Sequence, residues 1–254
     1  MIISYKNKFI FIHCRKVAGS AITTYLNQFI GPDDIQVGVW GDTILNGGTY
    51  NRRFYYDLLT SRRSLKGLAK SLLRTRSLHP ERLNEIHKRK YRQFFGSDAG
   101  HPTASEIRQF DEYAWNNFFK FCFVRNPYDR IVSDYLFLTR IKKVSVSFCE
   151  FLERASDASR HDPEKVLPEN IDNWPMYTID DNIVVDFIGK FENLDEDFKQ
   201  VCSNLNVPYI DKSLPIVKQV TSPSRSYRSW YTHHEKSLVE SLFCREIESF
   251  GYRF

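Results

Sequence analysis

The sequence predicts an α/β protein: a three-layer sandwich around a mostly parallel sheet, with anion-binding loops at the carboxyl ends of its strands. Three stretches carry that expectation. Lys8 to Ile12 (KFIFI) and Phe121 to Val124 (FCFV) are apolar runs of strand length, and each leads through a polar loop into an apolar pattern at helical spacing. Asn182 to Ile188 (NIVVDFI) is a third run, followed by a helical pattern over Glu192 to Leu205. Strands alternating with helices are the pattern that builds a parallel sheet.

In chain order, the first unit runs from Lys8 to Phe29. His13, Cys14, Arg15, Lys16, Val17 and Ala18 form its loop, and Gly19-Ser20 opens a helix with Ile22, Tyr25, Leu26 and Phe29 on one face. Gly19 admits close approach of backbone to an anion, Ser20 can cap the helix, and Lys16 supplies a point charge. The stretch is similar in physics to a nucleotide phosphate loop. It is not a G-x-x-x-x-G-K-[ST] motif, because Lys16 precedes Gly19 by three residues.

Gly31 to Asp42 (GPDDIQVGVWGD) begins with turn residues and continues as a short extended piece over Ile35 to Trp40. Trp40 has two readings, a ring stacked on a sugar or a buried packing residue. Asn46 to Asn51 (NGGTYN) has loop composition. Residues 60–93 hold eleven Lys and Arg against two Glu, a local +9, so the rest of this +5 chain sums to −4. Leu65, Leu68, Ala69, Leu72 and Leu73 share one helical face there, with Lys66, Lys70 and Arg74 on the other. His79-Pro80 interrupts, and a second helix runs from Glu81 to Phe95. The segment 60–95 is expected as a basic helical insertion in a single domain spanning 1–254. Three readings of it stay open: a solvated amphipathic pair, a landing surface for a polyanionic glycan, or a contact with anionic lipid headgroups. Further on, Thr103 to Glu106 has the spacing of a capping box for a helix through Phe110, with His101 in the loop before it.

The second unit is FKFCFVRNPYDRIVSDY, 119–135. Arg125 follows the strand, Asn126 can cap a helix, Pro127 fits its first position, and Asp129 suits the positive end of the dipole. Arg125 is therefore expected at a helix mouth, where unpaired N–H groups favour an anion. Ser133 lies about two turns into the helix and can face the same anion if the turn is tight. Taken alone, an Arg paired with a surface carboxylate and an interior Ser would account for these residues.

The two loops together resemble a family. HCRKVAGSA at 13–21 resembles the H-I-P-K-T-A-G-T-S element that holds the 5′-phosphosulfate in carbohydrate-type sulfotransferases. FVRNPYDRIVSDY at 123–135 resembles their 3′-phosphate element, R-N-P-x-x-R-x-x-S-x-Y. FIGKFENLDEDF at 187–198 and the closing stretch 227–254 are similar to the family's late helix and final segment, while the match is weak from about Val37 to Asp98. Arg15 and Val17 stand where Pro and Thr are usual, and Ala21 where Ser or Thr is usual.

The resemblance implies a P-loop-like sulfotransferase fold and 3′-phosphoadenosine 5′-phosphosulfate (PAPS) as donor co-substrate. It implies that Lys16 stabilises charge on the leaving phosphate, that Gly19 and Ser20 hold the 5′-phosphate, and that Arg125 and Ser133 hold the 3′-phosphate; Arg15, in the same loop, is expected among the donor-binding residues. Ser224, Arg225 and Tyr227, in TSPSRSYRSWY at 221–231, occupy the place of a segment that closes over the 3′-phosphate. GHPTASEIR at 100–108 puts His101 in the place of a proposed general base. The chemistry asks for one, since an acceptor hydroxyl must lose its proton as it attacks sulfur and His titrates near neutrality. His13 is the other candidate. PAPS carries no triphosphate, so no metal is implied. The acceptor implied is a carbohydrate, as polysaccharide or glycolipid, and the basic segment favours an anionic one. Nucleic acid is not expected as a partner, because a basic segment sits on a near-neutral body.

Two rivals remain. An ATP-dependent small-molecule kinase would need the missing G-x-x-x-x-G-K-[ST] loop, and a polyanion-binding module with an inactive nucleotide fold would not need intact Lys16 and Arg125. Cys14, Cys122, Cys149, Cys202 and Cys244 are odd in number with no Cys-x-x-Cys, which points away from zinc and from a disulfide framework and toward a reducing compartment. No run reaches the length of a membrane span. Lumenal members of the resembled family carry an N-terminal anchor, and the first strand here starts almost at Met1. A cytoplasmic bacterial enzyme is expected, peripheral at the membrane if 60–93 meets lipid. For the remainder, Phe148 to Ala155 reads as a helix, 161–177 as a Pro- and Asn-rich loop able to cover the acceptor, and Asp186 as a solvated or structural carboxylate. Leu194, Phe198, Val201 and Leu205 should face inward, and a final helix from His233 to Phe250 should pack Leu238, Leu242 and Ile247 on the body.

Overall fold

Seven strands and the helices between them are seen in a computed structural model that describes residues 1–157, 159–210, 214 and 226–254. The strands are β1 (Ile2–Ser4), β2 (Phe9–Phe11), β3 (Ile35–Gln36), β4 (Phe119–Val124), β5 (Thr178–Ile179), β6 (Asn182–Ile183) and β7 (Phe187–Lys190). Five of them form a central sheet in the order β3-β1-β2-β4-β7, and β5 and β6 pair only with each other. β4 is parallel to both β2 and β7, and β1 is antiparallel to β2 and β3. The sheet is therefore mostly parallel, with β1 alone running against the rest.

β2 and β4 are the strands legible in the sequence. Strands covered on both faces read as continuous apolar runs. Phe9, Ile10, Phe11 and Phe121 to Val124 are all fully buried, and the Phe11 and Phe121 rings stack with centroids 5.1 Å apart. Because β2 and β4 are parallel neighbours, the loops after them leave the same edge side by side. The Ile12 N–H still reaches the Phe121 carbonyl, at 2.9 Å, so the pairing extends to the lip of the loops. Helices Gly19–Leu26 and Pro127–Lys142 follow those loops, as expected. The capping box at Thr103 and Glu106 is present on helix Ala104–Phe110.

Several expectations shift. The run 182–188 is not one buried strand: Asn182–Ile183 lies in an exposed hairpin and β7 starts only at Phe187. Asp186, between them, accepts from the Lys120 N–H at 2.7 Å and pairs with its ammonium. Trp40 is fully buried at the start of helix Trp40–Leu45, donates its indole N–H to the Gln36 carbonyl, and packs on Phe54. It cannot stack on a sugar. The final helix divides at buried Phe243 into His233–Leu242 and Cys244–Phe250. β1 and the helices Arg52–Thr60 and Glu112–Asn117 carry no pattern long enough to be read from sequence.

The basic segment forms helices Arg62–Thr75 and Pro80–Phe95. The face by which Arg62–Thr75 packs is not its leucine face. Ser64, Gly67 and Ser71 are buried against Pro80–Phe95, and the Ser64 hydroxyl donates to the Ile86 carbonyl at 3.3 Å. Small residues let the two backbones approach, so Leu65, Leu72 and Leu73 turn outward while Leu68 packs beside Ile86. Among the described residues no helix is long and apolar enough to cross a membrane.

Gly189 in β7 lies under the Phe123 ring of β4, where a Cβ would stand 2.3 Å from Phe123 Cε1. Gly189→Ala should therefore destabilise the sheet by about 1–3 kcal/mol, the usual range for an overpacked core. Urea unfolding measures this, and adding Phe123→Leu should recover part of the loss.

Candidate active site

A cavity of about 980 Å³ opens at the carboxyl ends of β2 and β4. Lys16, Gly19, Ser20, His101, Arg125 and Ser133 all line it, as does Arg15. These residues come from three distant stretches of chain, and the parallel pairing of β2 with β4 brings two of those stretches together.

The first loop is held from beneath. Cys14 and Val17 are fully buried and anchor it in the core. Lys16 and Ala18 take the left-handed conformation, with φ of 58° and 63°. Non-glycine residues adopt it only where the surroundings over-determine them. Helix Gly19–Leu26 then starts with no side-chain cap and no acidic residue in its first turn. Its leading N–H groups are presented to the cavity end of the helix, an arrangement that favours an anion. Gly19 is required by packing: a Cβ there would stand 2.0 Å from Cδ2 of buried His13. The Lys16 ammonium lies 4.0 Å over the Phe137 ring.

Arg15 sits differently from the sequence expectation. Its guanidinium makes a bidentate pair with Asp134, at 3.0 and 2.8 Å, and a further bond to Asp98 at 3.1 Å. Asn173 clasps its backbone from both sides, accepting from the N–H and donating to the carbonyl. Burial alone would raise the Asp134 pKa, but Arg15 outweighs it and holds the carboxyl below its ordinary value. Three of the five Arg15 N–H groups are thus used on carboxylates, while the residue still lines the cavity.

Arg125 does not use the mouth of its own helix. Asn126 Oδ1 already caps the Tyr128 N–H at 3.1 Å, and the Asn126 N–H donates to Glu192. The guanidinium instead bonds Asp129, at 2.9 and 2.7 Å, and reaches across to the Lys16 carbonyl at 3.1 Å. Its central carbon lies over Phe191, 4.1 Å from the ring centroid. Those bonds use three of its five N–H groups, which leaves a donor on each terminal nitrogen. Ser133, one residue before Asp134, lines the same cavity.

His101 Nδ1 lies 2.7 Å from the His13 carbonyl. A carbonyl only accepts, so Nδ1 carries the hydrogen and Nε2 the lone pair of the neutral ring. Burial lowers the His101 pKa to about 4, against an upward pull from Asp98 and with a further push down from Arg15. The ring is neutral at pH 7, and its titration falls well below the near-neutral range read from sequence.

Other expected residues fall elsewhere. Tyr227 belongs to a short helical turn, Tyr227–Trp230, packed on Phe254, and does not line the cavity. Ser224 and Arg225 lie outside the described residues. The loop at 161–177 does reach the cavity through Leu167, Pro168 and Glu169, and Glu169 accepts from the N–H groups of Ser97 and Asp98. Asp98, Asp134, Asn173, Phe137 and Phe191 were not singled out from sequence. A signal existed for Asp134: four residues after Arg130, it puts a second charge on the buried face of the helix. Cys149, Glu153 and His234 bring potential metal-ligating atoms within 4.8 Å of one another, and none of the three lines the cavity.

A mixed α/β fold here gathers an uncapped helix start, a lysine and an arginine around one cleft, an arrangement suited to an anionic ligand. Comparison with known proteins gives the family: the model of the sulfotransferase family matches residues 1–252, and the chain belongs to that family. An uncharacterized protein of Archaeoglobus fulgidus is similar to it, 34% identical over 100 residues, which are 37% of this chain and 72% of the relative. No solved structure matches the chain.

Removing one partner of a buried pair leaves an uncompensated charge and costs about 3–5 kcal/mol. Asp134→Ala should destabilise by that order in urea unfolding. Since the native pKa of Asp134 is depressed, its contribution is present above the unfolded value of 3.8 and is lost as pH falls through the lower native value. Unfolding free energy measured across acid pH should show this loss in the native chain and lack it in Asp134→Asn.

Proposed function

We propose that this sulfotransferase moves a sulfuryl group from PAPS to a hydroxyl of a carbohydrate acceptor, a polysaccharide or glycolipid. The observation that carries the reading is the single cavity that unites the uncapped start of helix Gly19–Leu26 and Lys16 with Arg125, Ser133 and a neutral His101. Two separate cation-and-hydroxyl sets suit a donor with two separated phosphate groups, and the volume of about 980 Å³ is ample for a nucleotide.

The residues present fit that donor. When bound, PAPS supplies a sulfuryl group activated by its phosphate leaving group. Gly19 and Ser20 present backbone N–H groups to the 5′ end, in the manner of a P-loop, and Lys16 adds a charge where negative charge develops. The spare donors of Arg125 and the Ser133 hydroxyl hold the 3′-phosphate. His101 Nε2 takes the proton of the acceptor hydroxyl, while the bond from Nδ1 to the His13 carbonyl keeps the ring in the tautomer that can do so. Arg15 acts through position, fixing Asp134 beside Ser133 and Asp98 beside the His101 loop.

Binding separates this reading from a kinase: thermal stabilisation by adenosine 3′,5′-bisphosphate is expected, with none by ATP and magnesium. Arg125→Ala should weaken adenosine 3′,5′-bisphosphate about 10- to 100-fold, as for a lost charged hydrogen bond, and weaken adenosine 5′-phosphate far less. Calorimetry of both ligands checks it. Equal losses would mean only that the Lys16 carbonyl had lost its support.

His101→Ala should leave donor affinity nearly intact and lower kcat by about 10²–10⁴-fold. Because the base must be unprotonated, kcat/KM falls as pH drops below its pKa. The acid limb of the native enzyme is therefore expected near 4 and should be missing from the residual activity of the variant. A limb near 6.5 that survives the substitution would move the role to another group.

A further inference from the structure

Helix Arg62–Thr75 carries five Lys and Arg and no acidic residue. Among the described residues, none of Arg62, Arg63, Lys66, Lys70 and Arg74 forms an ion pair, whereas its neighbour Pro80–Phe95 pairs Lys88 and Arg92 with Glu85 and Lys90 with Asp57. The charge of the first helix is thus not neutralised within the protein. Of its leucines, Leu68 alone packs, against the cluster of Trp40, Phe54, Leu58 and Ile86, and the other three are not used by the protein. Leu65 is 43% exposed, Leu72 50% and Leu73 85%. With Ala69 they fall within an arc of about 100° on the helix, bordered directly by the arc of Lys66, Lys70 and Arg63. The opposite side, Ser64, Gly67 and Ser71, is the one that packs. Leu59, on the preceding helix and close to the joint at Ser61, is 64% exposed.

We propose that this face docks on an anionic lipid surface, with the leucines entering the headgroup boundary and the flanking cations meeting lipid phosphates and carboxylates. A polyanionic glycan would engage the cations but gives the leucines nothing to bury against. A lipid surface answers both features, since basic amphipathic helices bind through apolar area and charge together. Helix Pro80–Phe95 stands between this face and the active-site cavity, which it lines with Asn84, Glu85 and Lys88. The docked face would thus lie one helix away from the cavity. The proposal rests on the helix and not on the transfer reaction.

The test is co-sedimentation of the full chain with vesicles of phosphatidylcholine alone or with about a third phosphatidylserine. Binding is expected only to the second, and weakening with salt. Lys66→Ala with Lys70→Ala should weaken it about twentyfold, near fivefold per charge. Leu72→Ser with Leu73→Ser should weaken it about tenfold or more while leaving the melting temperature unchanged, because both side chains are solvated in the native fold. Absence of binding to the anionic vesicles at low salt overturns the proposal. So does vesicle binding that both double variants retain. Heparin binding or concentration-dependent dimerisation without vesicle binding would also overturn it and assign the face to a glycan or to a second copy.

Discussion

The pairing of Arg15 with Asp134 sets the separation of the two loops that line the cavity. Both side chains are buried, so each has given up its hydration, and that cost is offset only when the geometry is close to ideal. Here two parallel hydrogen bonds join them, and Asp98 takes a further donor. The loop after β2, the inner face of helix Pro127–Lys142 and the segment leading to His101 are thereby tied to one guanidinium. Arg125 adds a second tie between the same loops through the Lys16 carbonyl. Ser133 and Asp134 are sequence neighbours, so a shift of the pair would move the cavity wall.

A second line of contacts runs through His13. Its ring lies against Gly19 on one side and 4.8 Å from the His101 ring on the other, while its carbonyl fixes the His101 tautomer. The uncapped helix start and the proposed base are thus positioned by one residue. The same burial that packs these rings depresses the His101 pKa to about 4. The ring stays in its proton-accepting form throughout the neutral range, at the expense of basicity. Burial and tautomer together favour readiness over proton affinity.

Elsewhere the protein spends its charges on itself. Asp57 is fully buried and gathers Arg53, His87, Lys90 and Tyr91, which joins helix Arg52–Thr60 to Pro80–Phe95. Its carboxyl is held far below its ordinary pKa, as burial is outweighed by hydrogen bonds from His87, Lys90 and Tyr91. Arg130 is fully buried too, with its guanidinium on Phe243 and the Ile171 carbonyl. Against that background, helix Arg62–Thr75 stands apart, because its cations and three of its four leucines face outward.

The sequence by itself determined the α/β class, the two strand–loop–helix units and the candidates Lys16, Gly19, Ser20, His101, Arg125 and Ser133. Those features are local. Apolar runs such as FIF and FCFV mark strands buried on both faces, and a Gly-Ser or Asn-Pro step marks a helix start whatever lies around it. Tertiary structure alone decided the partners. Arg15 reads only as a loop cation until Asp134, more than a hundred residues away, pairs with it. Trp40 reads as a sugar platform until Phe54 and the Gln36 carbonyl bury it. Leu65, Leu72 and Leu73 read as part of a packing face until Gly67 and its serine neighbours pack more closely and leave only Leu68 inside. His101 reads as a group of near-neutral pKa until burial lowers it. Each of these turns on long-range contact and desolvation, which depend on what the folded chain brings near and not on the residues adjacent in sequence.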